Sequence, residues 1–132
     1  ALIHQIQLRG FKIILAHIER YQIFRKKPAV LEDLLNKGIY CQMNSRYVSE
    51  RKTKKQALNW IEKGYVHVVA SDGHNMDRRL PELAKAYETV HDKYGSEVAN
   101  HLFEGNPSRI IEDQPLIDIV IEKKKGFFNK KR

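Results

Sequence analysis

Three short apolar runs alternate with helical patterns along this chain of 132 residues, and that order constrains the fold more than any other feature. The runs cover residues 11–16, 39–44 and 65–71. The first is nearly continuous, as expected of a strand that is covered on both faces. Strands that alternate with helices form a parallel sheet with helical crossovers, so the sequence predicts an α/β fold.

Apolar spacing and punctuating residues mark the helices between these runs. The sequence predicts helices at 1–9 (ended by Gly10), from Pro28 to Gly38, at 53–63 (ended by Gly64), across Leu83, Ala84, Tyr87 and Val90, and from a capping Ser96 through Phe103 to a break at Asn106-Pro107.

Only about three strands are visible in the sequence. Three parallel strands cannot close a barrel, and their outer edges would be exposed. We therefore expect a half-barrel or partial sheet. Self-association of two copies over those edges remains open.

The net charge of +8 is concentrated at the carboxyl end. Residues 123–132 hold six basic residues and no acidic one. We therefore expect residues 1–122 to form the domain and 123–132 a basic, disordered tail. Phe127 and Phe128 flanked by lysines could give weak contact with an anionic membrane, although a solvated tail is the favoured interpretation. The body lacks interleaved aromatic residues, so no specific nucleic acid is expected as a partner.

Cys41 is the single cysteine, which excludes an intramolecular disulfide and suits a reducing compartment. No apolar run approaches the ~20 residues of a membrane span. We expect a cytoplasmic protein, which the tail could bring to the inner face of the membrane. Arg46 follows Cys41 after four residues instead of the five of a cysteine-phosphatase loop. Because Cys41 also lies within a strand, we expect it to be a core residue.

Metal-capable side chains follow two of the apolar runs. Asp72 and His74 come after the third run, and in extended backbone residues two apart point the same way. His17 follows the first run. Ligands in parallel sheets bind at the carboxyl ends of strands, so these three side chains form a candidate metal site. Two imidazoles and one carboxylate suit Zn, Mn or Fe, but three ligands leave such an ion incompletely bound.

Each of these residues also has a purely structural interpretation. Asp72-Gly73 is a good turn dipeptide, and His17 alone could be a hydrogen-bonded residue at the start of a loop. We expect His67 to be packed or hydrogen-bonded. The remaining histidines lie among polar neighbours and are expected at the surface: His4, His91 and His101.

Arg20 and Arg79 lie in the same loops as the candidate metal ligands. Arginine forms paired hydrogen bonds to phosphate oxygens, so both are candidates for binding an anionic substrate. Arg78 could take the place of Arg79, and the sequence favours neither. Further polar candidates at the same edge are Asn44, Asn75 and Gln42.

Together these motifs resemble a known family. The segments 16–21 (Ala-His-Ile-Glu-Arg-Tyr), 42–44 (Gln-Met-Asn) and 70–75 (Ala-Ser-Asp-Gly-His-Asn), with Arg79 and Pro81, resemble the later motifs of bacterial manganese-dependent protein-tyrosine phosphatases of capsular and exopolysaccharide biosynthesis. That family belongs to the polymerase-and-histidinol-phosphatase (PHP) superfamily. The resemblance runs from about residue 10 to residue 116.

The resemblance implies a distorted (β/α)7 barrel of the TIM-like PHP type, of which this chain is the carboxyl-terminal half. It implies metal ligation by His17, Asp72 and His74, and phosphate binding by Arg20 and Arg79. The implied cofactor is Mn, or another divalent cation such as Fe, Zn or Mg, incompletely bound by this half. The implied substrate is a phosphotyrosine-bearing protein such as a bacterial tyrosine kinase.

Two departures from the family pattern bear on these expectations. Ile18 stands where the family usually has proline, so His17 is aimed less rigidly. The His-x-His segment that opens the family domain has no counterpart before His17, so we expect this chain to carry only part of the site. Two alternatives therefore stay open: a non-catalytic binding domain with a basic tail, and another PHP phosphoesterase such as a histidinol-phosphatase-like enzyme.

Overall fold

The computed structural model describes residues 2–71 and 76–122, with the backbone alone at 76–80. The predictions made for the tail at 123–132 lie outside the described residues. None of the described helices combines the length and the hydropathy that crossing a bilayer requires.

Helices and strands alternate as predicted. The first half contains α1 (Leu2–Leu8), β1 (Ile14–Leu15), a 3-10 turn (Ile18–Arg20), α2 (Gln22–Lys26), α3 (Pro28–Asn36) and β2 (Tyr40–Asn44). The second half contains α4 (Ser45–Ser49), α5 (Lys54–Glu62), β3 (Val68–Ala70), α6 (Met76–Tyr94), α7 (Ser96–Asn100), a π-helical turn (His101–Gly105) and α8 (Asn106–Ile111).

The three strands form a parallel sheet in the order β1-β2-β3, which confirms the α/β prediction. Ile14 pairs with Tyr40, and Asn44 pairs with Ala70. Because the strands are parallel, their carboxyl ends lie along one edge of the sheet. The loops that follow β1, β2 and β3 therefore start from that edge.

β1 is an edge strand, and the expectation that it is covered on both faces is wrong. Ile14 is 38% exposed and the preceding Phe11 is 64% exposed, whereas Leu15 packs against the core, so one face of β1 is left open. Within the described residues no strand lies beyond β1. A cleft of about 380 Å³ opens beside β1, and Tyr40 and Ile110 are among the residues that line it. The exposure expected of both outer edges is therefore found at β1 only, since Val68 and Val69 of the opposite edge strand β3 are buried.

The hydrophobic core packs against one face of the sheet. Cys41 and Met43 of β2 are fully buried, and they pack with Trp60 of α5 and Val90 of α6. Alternate residues of a strand point to opposite faces, so Gln42 and Asn44 belong to the face that is only half-buried.

The break predicted at Asn106-Pro107 does not occur. The chain stays helical through the π-helical turn into α8, and Pro107 lies in the first turn of α8, where a missing N–H costs little. Asn106 is fully buried, and its side-chain amide donates to the carbonyls of His67 (2.8 Å) and Ile117 (2.9 Å). Its Oδ1 accepts the N–H of Ile117 at 2.7 Å. These bonds stabilise the helical path in place of a break.

Two helix starts also differ from the prediction. Ser96 does not cap α7, because Gly95 occupies the capping position with a φ of 94°. The helix predicted around Leu83 begins earlier, at Met76, and contains Pro81.

His67 is buried and hydrogen-bonded, as predicted. Its Nδ1 accepts the N–H of Cys41 at 3.1 Å, and its ring meets the edge of Tyr40. Its Nε2 lies 3.7 Å from the exposed carboxylate of Asp118. Burial lowers the pKa of His67, and Asp118 offsets part of that shift. His4 and His91 are exposed as expected, whereas His101 is half-buried.

The amide of Asn106 should contribute strongly to stability. In N106A, the carbonyls of His67 and Ile117 and the N–H of Ile117 lose their partner inside the protein. We expect the free energy of unfolding to fall on the order of 3 kcal/mol, measured by urea denaturation. The control N59A changes an exposed asparagine on α5 and should stay within about 0.5 kcal/mol of wild type. An N106A variant as stable as N59A would contradict the assignment.

The pKa of His67 should make stability depend on pH. Because the folded state lowers this pKa, the unfolded chain binds the proton more readily. Stability attributable to His67 is therefore complete above the unfolded value of about 6.5 and is lost as the pH falls below it towards the folded pKa. An NMR titration should give a pKa for His67 below the ordinary histidine value of about 6.5. The loss of stability from neutral to acidic pH should be smaller in H67Q than in H4Q. Equal losses in both variants would contradict the prediction.

Candidate metal and phosphate site

The candidate site lies at the carboxyl edge of the sheet. His17 follows β1, Asn44 ends β2, and Ser71 follows β3. The sequence predicted this convergence from strand order alone, and the parallel topology brings the three strand ends together. The edge therefore supplies the starting points of all three candidate loops.

His17 has an unusual backbone conformation, with φ 39° and ψ 62° in the left-handed region. Such a conformation is strained for a residue with a side chain and is kept only where the surroundings impose it. The next residue, Ile18, is fully buried, which anchors the 3-10 turn to the core. The backbone N–H of Arg20 closes the turn on the carbonyl of His17 at 3.0 Å.

Gln42 holds the backbone of His17 from the neighbouring strand. The N–H of His17 donates to Oε1 of Gln42 at 2.7 Å, and Nε2 of Gln42 donates to the carbonyl of Met43 at 3.0 Å. Both ends of the side-chain amide are thus engaged within the chain. This geometry is that of a structural support rather than of a ligand.

Glu19 is a second support that the sequence reasoning missed. It is buried, and its Oε1 accepts the N–H of Asn44 at 3.2 Å. Arg25 fixes the same turn by donating from Nη1 to the carbonyl of Glu19 at 2.6 Å. The position of an acid between His17 and Arg20 was visible in the sequence, but no periodicity there indicates that it points into the protein.

Asn44 has a local role. Its Oδ1 accepts the N–H of Arg46 at 2.9 Å and caps α4. Capping uses the side-chain oxygen that a metal or a phosphate group would need. The structure therefore supports Asn44 as a helix cap at the site edge.

Arg20 and Arg79 lie in different elements. Arg20 is an exposed residue of the 3-10 turn. Arg79 is a residue of α6, and its side chain lies outside the described part of the chain. Arg46 of α4 donates to Glu82 of α6 at 2.9 Å, and this hydrogen bond raises the pKa of Arg46. The Arg46–Glu82 pair connects α6 to α4, the helix that directly follows β2.

Asp72, His74 and Asn75 lie outside the described residues. Within the described ranges no three histidine, cysteine or acidic side chains are grouped so that they could hold a metal ion. The sequence offers two imidazoles and one carboxylate, from His17, His74 and Asp72. These groups are usual ligands of divalent cations such as Zn, Mn and Fe. The described part contributes His17 to that set, and its backbone is fixed on β2.

Cys41 is fully buried, as predicted, and burial raises the pKa of its thiol to about 12. The thiolate is the nucleophilic form of cysteine, and it is strongly disfavoured here. Cys41 is therefore a core residue and cannot serve as a phosphatase nucleophile.

The parallel sheet and the residues at its carboxyl edge define a class of protein. It is an α/β protein in which loops after parallel strands carry imidazole and guanidinium groups. The chain belongs to the CpsB/CapC family of capsular polysaccharide synthesis, whose family model matches residues 1–112. This confirms the family resemblance read from the motifs.

Curated relatives carry tyrosine-phosphatase names. The chain is 40% identical over 117 residues to the tyrosine-protein phosphatase CpsB of Streptococcus pneumoniae, covering 83% of this chain and 48% of the relative. It is 30% identical over 118 residues to the tyrosine-protein phosphatase YwqE of Bacillus subtilis strain 168, covering 87% and 46%. The chain thus spans about half the length of the curated relatives it matches.

A solved structure agrees with these relatives. A chain from the crystal structures of YwqE from Bacillus subtilis and CpsB from Streptococcus pneumoniae, described as metal-dependent tyrosine phosphatases, superposes with a TM-score of 0.81 at 27% identity. The match covers 93% of this chain and 51% of that chain.

Burial of Cys41 should protect its thiol from alkylation. We expect iodoacetamide to modify the folded chain roughly 100-fold more slowly than the same chain in concentrated urea, because the folded state holds almost no thiolate. Mass spectrometry over time measures both rates. Similar rates in the two conditions would show that Cys41 is accessible and ionised, and would reopen a role for it in catalysis.

Proposed function

We propose that this chain carries part of the active site of a metal-dependent protein-tyrosine phosphatase. The observation that carries the proposal is the left-handed, hydrogen-bonded His17 at the carboxyl edge of the parallel sheet, in a chain of the CpsB/CapC family. His17 is half-buried, and groups that orient a metal-binding histidine typically strengthen metal binding.

In this proposal His17, Asp72 and His74 hold a divalent cation, with Mn favoured and Fe, Zn or Mg as alternatives. The bound metal would activate water and neutralise charge on the phosphoryl oxygens. His17 would contribute its imidazole from a turn anchored by the buried Ile18. Gln42, Asn44 and Asn75 were the further candidates. The contacts of Gln42 and Asn44 favour supporting roles for these two.

Arg20 and Arg79 are proposed to bind the phosphoryl group. Two guanidinium groups can hold three phosphoryl oxygens through paired hydrogen bonds and stabilise charge in the transition state. The turn holding Arg20 is fixed by Ile18 and by Arg25, and α6 is fixed through the Arg46–Glu82 pair. These contacts favour a defined position for the backbone that carries each arginine.

We further propose that residues 1–122 are the carboxyl-terminal portion of a distorted (β/α)7 barrel of the PHP type. The exposed β1 edge, with Phe11 and Ile14, would then pair with a strand from the remaining half. The solved structure, of which this chain covers 51%, supports the view that the chain corresponds to part of a longer chain.

The proposed substrate is phosphotyrosine on a protein, such as a bacterial tyrosine kinase that controls capsule or exopolysaccharide synthesis in the cytoplasm. The relatives named as tyrosine-protein phosphatases favour this substrate over that of another PHP phosphoesterase. A non-catalytic domain remains the alternative if no metal binds.

Metal binding by the chain tests the proposal directly. We expect weak Mn2+ binding by the wild-type chain, measured by electron paramagnetic resonance of the free ion, because it offers three of the roughly four to six ligands an ion needs. H17A and H74A should weaken it about tenfold or more, while H91A, on the exposed side of α6, should not. No binding by wild type, or equal binding by H17A and H91A, would refute the site.

Turnover should be slight with this chain alone. Phosphotyrosine-peptide hydrolysis with added Mn2+ should stay near background, because the site needs ligands from the other half. A longer chain with restored activity can then be tested on phosphoserine peptide and histidinol phosphate as comparison substrates. The preferred substrate distinguishes a tyrosine phosphatase from a histidinol-phosphatase-like enzyme. Robust, His74-dependent hydrolysis by these 132 residues would show that the site is complete.

A further inference from the structure

We infer that Gln42 is a positioning residue, whose side-chain oxygen holds the backbone of His17 so that the imidazole stays aimed at the proposed metal. This inference rests on the proposed function. It assigns Gln42 a role through His17 and not a direct contact with metal or substrate.

The orientation of the Gln42 amide is fixed by chemistry. The backbone N–H of His17 can only donate, so the atom 2.7 Å away must be the side-chain oxygen. The carbonyl of Met43 can only accept, so the other atom, at 3.0 Å, must be the side-chain nitrogen. A flipped amide would break both hydrogen bonds.

The strand that carries Gln42 is the most constrained part of the sheet. β2 pairs with β1 on one side and with β3 on the other, where Gln42 pairs with Val68. The flanking side chains of Cys41 and Met43 are fully buried. The oxygen of Gln42 therefore comes from a rigid position.

His17 needs such a support. Its left-handed backbone is uncommon for a residue other than glycine, and a different φ would turn the imidazole away from its present direction. The neighbouring bond from Asn44 to Glu19 joins β2 to the same turn two residues further along. Glu19 thus holds the turn as a whole, whereas Gln42 acts on His17 itself.

Two variants separate the oxygen from the rest of the side chain. Q42M keeps the length but removes the acceptor, and Q42E keeps an acceptor oxygen. The matched control is Q56M, which makes the same change at a half-buried glutamine on α5.

Amide hydrogen exchange followed by NMR is the first measurement. We expect the His17 amide to exchange at least about tenfold faster in Q42M, and to stay protected in Q42E and Q56M. The Asn44 amide, bonded to Glu19, should keep its protection in all of them, which shows that the turn is still folded. A protected His17 amide in Q42M would overturn the inference.

Mn2+ affinity is the second measurement. Loss of a residue that orients a metal ligand typically weakens metal binding 10- to 100-fold, and we expect a drop of about tenfold in Q42M with no change in Q56M. The added charge of Q42E could itself attract metal, so that variant is judged by exchange alone. Faster His17 exchange with unchanged Mn2+ affinity would overturn the role toward the metal. Absence of Mn2+ binding by wild type would instead refute the proposed function, and exchange would still decide whether Gln42 orients His17.

Discussion

The pairing of β2 between two parallel strands is the constraint on which the rest of this structure depends. It buries Cys41 and Met43 in the core and leaves Gln42 and Asn44 on the other face. Parallel pairing also brings the ends of β1, β2 and β3 to one edge. The same strand thus supplies both the centre of the core and the supports of the candidate site.

The two ends of the sheet carry different polar networks. Near the amino ends, His67 and Asn106 join β2, β3 and the segment after α8 through buried and partly buried hydrogen bonds. At the carboxyl ends, Gln42 and Glu19 hold a turn whose imidazole and guanidinium groups stay accessible. The first network is closed within the protein, whereas the second supports the residues of the candidate site.

Much of the fold was predictable because its signals are local. Apolar runs and glycines marked the strands and helix ends, and alternation alone predicted parallel pairing. The break expected at Asn106-Pro107 was wrong, since the compensating partners, His67 and Ile117, are distant in sequence. The coverage expected for β1 was wrong because burial depends on what lies beside a strand, which an apolar run does not encode.

For the site, the sequence by itself determined which chemistry is on offer: the residue types His17, Arg20, Asp72, His74 and Arg79 after strand-like runs, and a family resemblance that the CpsB/CapC model confirms. Only the tertiary structure decided which polar residues support the backbone of the candidate site residues. Gln42 and Glu19 act through hydrogen bonds to backbone groups 25 residues away in sequence, and no pattern of spacing specifies such a contact. Residue type and local periodicity are written in the chain, whereas the direction of a side chain is set by the neighbours that packing places beside it.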